Sequence, residues 1–285
     1  MLGRDLASVL EARHEVAALD RSACDITRED SLPSALDRCR PAVVINCAAY
    51  ADVDGCELDP ERAFAVNAQG AGHVARAAEA AGARLFHIST DYVFDGAKGA
   101  PYCEQDAVNP LNVYGQSKLQ GERLVLAETD VVPRHLVIRT SWLYGLHGAN
   151  FIETMLAAAQ SRRELAVVAD QIGSPTWTVH LAQWIQGLLE TSAAGVMHVS
   201  GSGQCSRYEF AEAIFEQAAA QDLCPRVTLR PATSEQFPRP ARRPPYSVLE
   251  CRRLQQLGLG TLPHWKQGLE EYFALRQKLA SPRPA

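Results

Sequence analysis

The first two-thirds of the chain alternates between two kinds of segment, and this alternation constrains the fold more than any other feature. Four short apolar runs rich in β-branched residues predict buried strands: Glu15–Leu19, Ala42–Ala48, Leu85–Thr90 and Leu136–Thr140. Four longer segments show helical spacing of apolar residues: Leu2–Arg13, Asp30–Arg38, Pro60–Ala81 and Asn112–Leu126. Continuous apolar strands separated by helices are typical of a parallel sheet covered on both faces. We therefore predict an α/β, doubly wound, Rossmann-like fold with ligands at the carboxyl ends of its strands.

Helices dominate the sequence from about Phe151 onward. The predicted helices of this part are Phe151–Arg162, Val179–Leu189, Arg207–Ala220 and Lys266–Lys278. A short predicted strand, Val196–Ser200, and a Pro- and Arg-rich stretch, Arg230–Pro245, separate them, and this stretch could also be a plain linker. We predict a first domain over residues 1–146 and a smaller C-terminal domain over residues 147–285. Part of residues 178–200 could return to the first domain.

Composition and charge exclude several classes of protein. The net charge of −5 and the absence of any basic run longer than a pair argue against nucleic acid as a partner. No uncharged apolar stretch approaches the ~18 residues of a membrane span, and no apolar signal core follows Met1. The eight cysteines are scattered without a C-x-x-C pair, so no metal site is predicted. Reduced thiols in a cytoplasmic protein are the simplest interpretation.

The stretch from Ser89 to Glu122 contains the candidate catalytic residues. Thr90 falls at the end of a predicted strand, and Tyr114 and Lys118 lie four residues apart on one face of a predicted helix. A lysine ammonium near a tyrosine favours the phenolate, so we expect Lys118 to lower the pKa of Tyr114. Tyr114 could then act as a general acid while Thr90 hydrogen-bonds the same substrate oxygen. Such a trio suits the transfer of hydride from a cofactor to a carbonyl group.

The chain resembles the extended short-chain dehydrogenases/reductases, and within them the dTDP-4-dehydrorhamnose reductase family. The resemblance runs in the family's order over nearly the whole chain. The matching stretches are VVINCAAYADVDGCE, NAQGAGHVARAAEAAGARLFHISTDYVFDG, YCEQDAVNPLNVYGQSKLQGE, IRTSWLYG, NFIETML, DQIGSPTW and RRPPYSVLE. The run S-T-D-Y-V-F-D-G followed by P-L-N-V-Y-G-x-x-K is highly specific.

The resemblance implies an NAD(P)H-dependent reductase acting on the C4 keto group of dTDP-4-dehydro-L-rhamnose, with dTDP-L-rhamnose as the product. It implies that Tyr114 donates the proton, that Lys118 holds the nicotinamide ribose and tunes Tyr114, and that Thr90 orients the carbonyl. It also implies a set of substrate-binding candidates: Asp91, Trp142, Asn150, Gln171 and Arg243. The first domain is then the NAD(P)-binding domain, and the second mainly binds the substrate.

The resemblance also implies where the cofactor binds. Gly3 fits the last glycine of a G-x-x-G-x-x-G loop, so we expect Met1 to be an internal methionine, with the first strand and two glycines missing upstream. Arg21 beside Asp20 could meet a 2′-phosphate, so NADPH and NADH are both open. The cofactor-binding candidates are Gly3, Asp20, Arg21, Asp25, Ile26, Ala48, Ala49 and Tyr50, together with Tyr114 and Lys118. Mg²⁺ is possible, but no ligands for it can be placed.

Two departures from the family pattern, Ala51 and the pair Gly55-Cys56, lie near the expected mouth of the site. They leave the substrate less certain than the type of reaction. Two alternatives therefore stay open: a non-catalytic regulatory subunit of the methionine adenosyltransferase β type, and another nucleotide-sugar epimerase or dehydratase. A nucleotide sugar is the expected small-molecule partner, and a homodimer is one option for the assembly.

Overall fold

The computed structural model describes residues 1–127 and 134–280. Its α-helices are α1 (Leu2–Leu10), α2 (Ser31–Cys39), α3 (Val53–Leu58), α4 (Pro60–Phe64), α5 (Gly70–Ala80), α6 (Val113–Ala127), α7 (Phe151–Ser161), α8 (Thr178–Leu189), α9 (Arg207–Ala219), α10 (Arg252–Gln256) and α11 (Trp265–Ala280). Its strands are β1 (Val43–Asn46), β2 (Arg84–Thr90), β3 (Leu136–Thr140), β4 (Leu143–Tyr144), β5 (Glu164–Val168), β6 (Ile172–Gly173), β7 (Thr176–Trp177), β8 (Gly195–His198), β9 (Cys205–Ser206) and β10 (Thr228–Ala232). Residues 281–285 of the predicted second domain lie outside the described part.

The main sheet is parallel and has the strand order β1-β2-β3-β8. Ile45 is opposite Phe86, Ile88 is opposite Ile138, and Val137 is opposite Val196. Such β-branched and aromatic residues favour strands buried on both faces. The predicted α/β fold with a parallel sheet is therefore confirmed. Three of the four strands predicted in the first part are present: Leu136–Thr140 has the predicted ends, and the other two have slightly shifted ends.

Helices cover both faces of this sheet. On one face, Leu2, Leu6 and Leu10 of α1 pack with α8 against the side chains of Phe86 and Ile138. On the other face, α2, α5 and α6 pack against Leu85 and Val137. Successive residues of a strand point to opposite faces, so neighbours such as Leu85 and Phe86 enter different cores. This layering leaves the carboxyl ends of the strands open at one edge of the sheet.

The prediction of a strand at Glu15–Leu19 is wrong. These residues have no regular secondary structure, and only Val16 packs against the core beneath α1. Within the described residues, β1 pairs with β2 alone and no strand lies between β1 and residues 15–19. An extended segment becomes a strand only when a neighbour accepts and donates its backbone hydrogen bonds.

The helix predicted over Pro60–Ala81 is interrupted by a wide turn. Asp59 caps its start by accepting from the backbone N–H of Arg62, with Pro60 in the first turn. A π-helical turn, Ala65–Gln69, then separates α4 from α5. The carbonyl of Asn67 in this turn lies where a Cβ on Gly121 of α6 would be, so the wide turn and the glycine fit each other. Single π turns of this kind frequently occur at functional sites.

The part from Phe151 onward contains a second core. Aromatic and aliphatic side chains of α7, α9 and α11 pack together, with Phe210 and Tyr272 buried at the centre. The Pro- and Arg-rich stretch is more than a linker, because it begins in β10, which pairs with β5. The strand β8 does not belong to this core but pairs with β3 in the main sheet, and α8 packs on α1.

Among residues 1–127 and 134–280, no helix is both long enough and apolar enough to cross a membrane.

Candidate active site

Polar side chains end the neighbouring strands of the main sheet. Asn46 ends β1, Thr90 ends β2 and Thr140 ends β3, with Thr90 and Thr140 directly opposite each other. All three side chains are buried. Since the carboxyl ends of parallel strands meet at one edge, these residues form the floor of a candidate site where the doubly wound fold predicts one.

The first turn of α6 brings Tyr114 to the end of β2. Asn112 caps this turn, because its Oδ1 accepts from the backbone N–H of Gly115 at 2.8 Å. Gly115 lies against the turn that follows β2, where a Cβ would overlap the carbonyl oxygen of Tyr92. This close approach places the Tyr114 hydroxyl beside the side chain of Thr90. The structure thus brings together two of the three predicted catalytic residues.

Lys118 lies one turn further along α6 and is buried beneath the site. Its Nζ donates to the carbonyl oxygen of Ile88 at 2.6 Å and lies 3.1 Å from Nε2 of His87. His87 in turn contacts Asn46, whose Nδ2 lies 3.2 Å from Nδ1. The head of Lys118 therefore faces the sheet rather than the hydroxyl of Tyr114.

This placement corrects the expected acidity of Tyr114. Burial raises the pKa of Tyr114 above its usual value, and the nearby Thr90 hydroxyl offsets only part of that effect. Burial lowers the pKa of Lys118 to about 8. The predicted lowering of the Tyr114 pKa by Lys118 is therefore wrong for this structure. Removing a phenol from water disfavours its phenolate, and the Lys118 ammonium does not face it closely enough to compensate.

Asp91 is a buried acid at the edge of the same site. It is 2% exposed, and its Oδ1 accepts from the hydroxyl of Thr90 at 3.0 Å. Burial raises its pKa to about 6, although hydrogen bonds from Ser247 and Thr90 and the charge of Arg207 act in the opposite direction. A carboxyl with such a pKa exchanges its proton near neutral pH.

Trp142 packs against Arg207, a residue that the sequence did not predict. The guanidinium carbon of Arg207 lies 3.4 Å from the centroid of the Trp142 ring, and the Arg207 side chain also lies beside the hydroxyl of Tyr92. Trp142 has a φ of 45°, which is uncommon for a bulky residue and marks a constrained position. Its ring lies where a Cβ on Gly173 would be, so this glycine is required for the close approach.

Arg243 lies near Tyr92 but is already paired with a carboxylate. Its two terminal nitrogens donate to Oδ1 and Oδ2 of Asp54 at 2.6 and 2.8 Å. Its guanidinium also lies near the hydroxyl of Tyr92, as that of Arg207 does. Arg243 holds the pKa of Asp54 at about 2. A bidentate pair of this kind fixes the plane of the guanidinium.

Two predicted substrate ligands have structural partners instead. Asn150 caps α7, since its Oδ1 accepts from the backbone N–H groups of Ile152 and Glu153. Its Nδ2 donates to the carbonyl oxygens of Gly145 and Gly148, which uses both amide hydrogens. The geometry of Asn150 therefore supports a helix cap rather than a phosphate ligand. Gln171 donates to the hydroxyl of Ser234 at 2.9 Å.

The cofactor candidates nearest the sheet lie where α1 meets β1. An ideal Cβ on Gly3 would be 3.9 Å from Cβ of Cys47, so the start of α1 lies next to the end of β1. Ala48 and Ala49 are exposed there. The backbone of Tyr50 is held by Asn67, whose amide accepts from its N–H at 2.8 Å and donates to its carbonyl oxygen at 3.0 Å.

The candidates for the adenosine end form a separate turn. Asp20 accepts from the backbone N–H groups of Ser22 and Ala23, which lowers its pKa. Arg21 pairs with Asp25 at 3.1 Å. The carbonyl oxygen of Ile26 lies 2.9 Å from a ring nitrogen of His73. The structure keeps these residues together and accessible, with Arg21 pointing into solvent.

Sequence reasoning missed four residues of the site: Asn46, His87, Asp54 and Arg207. Asn46 and His87 each interrupt an apolar run, and a polar residue inside a buried strand is a signal that could have been used. Asp54 and Arg243 are distant in the sequence, so no local pattern predicts their contact. Arg207 opens α9 after the cap Ser206, which explains its position but not its contact with Trp142.

In the described part of the chain, no group of three or more histidine, cysteine, aspartate or glutamate side chains could hold a metal ion.

Comparison with known proteins places nearly the whole chain in one protein family. The sequence pattern of the family described as RmlD substrate binding domain matches residues 1–277. The dTDP-4-dehydrorhamnose reductase of Aggregatibacter actinomycetemcomitans is 42% identical, over 96% of this chain and 95% of that protein. The spore coat polysaccharide biosynthesis protein SpsK of Bacillus subtilis is 40% identical, over 96% of this chain and 94% of that protein.

A solved structure gives the same result in three dimensions. The crystal structure of dTDP-4-dehydrorhamnose reductase from Bacillus anthracis in complex with NADP has a TM-score of 0.91 and 39% sequence identity. It covers 96% of this chain and 95% of that one.

Proposed function

This chain belongs to the RmlD substrate binding domain family, and on that premise we propose that it is a reductase of dTDP-4-dehydro-L-rhamnose. The reaction converts the C4 keto group to a hydroxyl with NADPH or NADH and yields dTDP-L-rhamnose. The observation that carries this proposal is the position of the Tyr114 hydroxyl beside the Thr90 side chain at the end of β2, with Lys118 one helical turn away.

The proposed chemistry assigns the acid to Tyr114. A reduced nicotinamide held by this chain would supply the hydride to C4. Tyr114 donates its proton to the C4 oxygen, and Thr90 hydrogen-bonds that oxygen and orients the carbonyl. The raised pKa of Tyr114 keeps the phenol protonated at neutral pH, which suits a group that must deliver a proton.

The residues of this chain fit a nicotinamide dinucleotide. The first N–H groups of α1 have no partner within the helix, and they open next to the exposed Ala48 and Ala49. Backbone N–H groups at a helix start suit a pyrophosphate. We propose that Gly3 and residues 48–50 line the path of the cofactor, that Asp20, Arg21, Asp25 and Ile26 hold its adenosine end, and that Tyr114 and Lys118 hold the nicotinamide ribose.

The proposed substrate site lies between the main sheet and the C-terminal part. Trp142 walls the sugar, and Asp91 lies at its edge. Arg243 takes the diphosphate once it leaves Asp54, because a guanidinium pairs equally well with phosphate oxygens. Gln171 contacts the same part of the substrate once its side-chain amide no longer donates to the hydroxyl of Ser234. Asn150 supports the site as the cap of α7.

The same proposal extends to the organisation of the chain. Residues 1–146 hold the cofactor, and residues 147–285 mainly hold the substrate. We propose that the protein acts in the cytoplasm, and a homodimer is the assembly to test first.

An assay of reductase activity tests this function. The full chain should consume NADPH or NADH in the presence of dTDP-4-dehydro-L-rhamnose, and Tyr114→Phe should lower kcat by about a hundredfold or more because the acid is lost. Tyr208→Phe is the matched control, since Tyr208 packs against the cluster of Leu165, Val167 and Ala211 rather than at the end of β2, and the change should leave activity unchanged. Turnover that Tyr114→Phe does not reduce would refute the assigned role. Co-purification with a methionine adenosyltransferase and no turnover would favour the regulatory alternative.

A further inference from the structure

Three buried polar side chains form a line beneath the candidate site. Asn46 is 5% exposed, His87 0% and Lys118 1%. Nδ2 of Asn46 lies 3.2 Å from Nδ1 of His87, and Nε2 of His87 lies 3.1 Å from Nζ of Lys118. Each of these contacts needs one donor and one acceptor, so the choice of donor in one contact fixes the choice in the next.

The backbone determines the order at one end of this line. The N–H of Ala48 donates to Oδ1 of Asn46 at 3.0 Å, and only an oxygen can accept it. The amide nitrogen of Asn46 must therefore face His87 and donate to Nδ1. A neutral imidazole with Nδ1 as its acceptor carries its hydrogen on Nε2.

The other end of the line then meets Lys118. An ammonium has three hydrogens and no lone pair, so it cannot accept from Nε2–H. An uncharged amine can accept that hydrogen and still donate to the carbonyl oxygen of Ile88, which lies 2.6 Å from Nζ. All contacts of the line are satisfied only when Lys118 is uncharged.

We infer that His87 is a positioning residue that presents its Nε2–H to Lys118 and favours the uncharged amine while the site is empty. The inference rests on the proposed function for the role of Lys118, but not for the hydrogen-bond order. When Lys118 takes up a proton, the contact with His87 becomes one between two donors. The ammonium is then released from His87 and can serve the cofactor side of the site.

The charges around Lys118 do not cancel this effect, and the uncharged amine predominates above about pH 8. Glu122 on the same helix favours the ammonium, but both of its oxygens are engaged by Arg139 on β3. Cys47 after β1 stays a neutral thiol, because burial raises its pKa to about 12. Tyr114 on α6 is a neutral phenol with a raised pKa. Burial itself lowers the pKa of Lys118 and of His87.

Nitrogen NMR on the full chain with labelled histidine tests the inference. Between about pH 6 and pH 9, His87 should show a protonated Nε2 and an unprotonated Nδ1. His198 is a built-in control of the opposite kind, because its Nδ1 faces the carbonyl oxygens of Tyr102 and Glu250 and must carry the hydrogen. A protonated Nδ1 on His87 in the unliganded protein would overturn the inference.

The isosteric variant Asn46→Asp tests the cause. A carboxylate can accept from both Ala48 and His87, so the hydrogen of His87 should move to Nδ1 and Nε2 should become an acceptor for the ammonium. The pKa of Lys118, followed by carbon NMR at Cε, should rise by about one unit or more, and the midpoint of the pH profile of kcat/KM should follow it. An unchanged tautomer of His87 would contradict the inference. Neither NMR measurement needs turnover, so a failed reductase assay refutes only the proposed function.

Discussion

At the scale of single residues, Tyr114 and Asp91 show that burial changes the pKa of a side chain more than neighbouring charges do. Both pKa values are raised, and in both cases burial is the largest cause. The spacing of Tyr114 and Lys118 predicted a shared helix face, and that is what α6 provides. It could not predict that the flexible stem of Lys118 carries its nitrogen to Ile88 and His87 instead of to the phenol.

Asp91 makes a prediction about the pH dependence of stability. Its pKa rises from 3.8 in the unfolded chain to about 6 in the fold, so the folded protein binds this proton more tightly. The stability gained is fully present below about pH 4 and is lost as the pH rises through about 6. Asp91→Asn carries no such proton. Relative to the variant, the wild-type free energy of unfolding should fall by on the order of 3 kcal/mol between about pH 4 and pH 7.

Urea unfolding at a series of pH values measures this difference. Asp95→Asn is a control of opposite sign, because the N–H of Ala97 and the amide of Asn109 lower the pKa of Asp95. Its wild-type contribution is present above about pH 4 and disappears as the pH falls. A difference between wild type and Asp91→Asn that stays constant with pH would show that Asp91 keeps its ordinary acidity.

At the scale of elements, α6 positions the chemistry through its first turn. Asn112 caps the turn, and its Nδ2 also donates to the carbonyl oxygen of Arg242 at 2.7 Å, which ties the helix start to the C-terminal part. Because Gly115 has no side chain, α6 can lie directly against the turn after β2. The position of Tyr114 thus depends on a missing side chain beside it.

Gly115→Ala tests that dependence. The added methyl group overlaps the carbonyl oxygen of Tyr92, so α6 must shift, and we expect a loss of about 1–3 kcal/mol in stability. A displaced Tyr114 should also lower kcat by about tenfold to a hundredfold. Gly187→Ala in α8 is the matched control, because its nearest neighbour is a side-chain atom of Leu259 at 3.5 Å.

The control should gain about 0.5–1 kcal/mol, since alanine is the better helix former. Thermal unfolding and steady-state kinetics of both variants give the comparison. If Gly115→Ala were as stable and active as wild type, the close approach of α6 to Tyr92 would not matter for the site.

At the scale of the whole molecule, the site is assembled from parts far apart in the chain. Arg207 and Arg243 lie near Tyr92, and Trp142 packs on Arg207. All three residues come later in the sequence than β2, the strand that carries Thr90. Asp54 of α3 binds Arg243 across 189 residues of sequence. Its side chain is 22% exposed and that of Arg243 is 16%, so the pair is largely shielded from water.

A double-mutant cycle on Asp54→Asn and Arg243→Gln tests this connection. A shielded bidentate pair should show a coupling energy of about 1–3 kcal/mol in chemical unfolding. The exposed pair Arg230–Glu164, with side chains 66% and 53% exposed, is the matched control and should give less than about 1 kcal/mol. Equal coupling in the two cycles would mean that the Asp54 pair adds nothing beyond a surface contact.

The sequence by itself determined the class of fold, the main helices and the placement of Thr90, Tyr114 and Lys118, because periodicity and local spacing follow from backbone geometry. Only the tertiary structure decided that Glu15–Leu19 is not a strand, since pairing needs a neighbour in space. Only the tertiary structure also decided that the side chain of Asn150 caps α7 and that Arg243 pairs with Asp54. It also directed Lys118 toward His87, because the order of hydrogens among buried groups depends on which atoms the fold brings within reach.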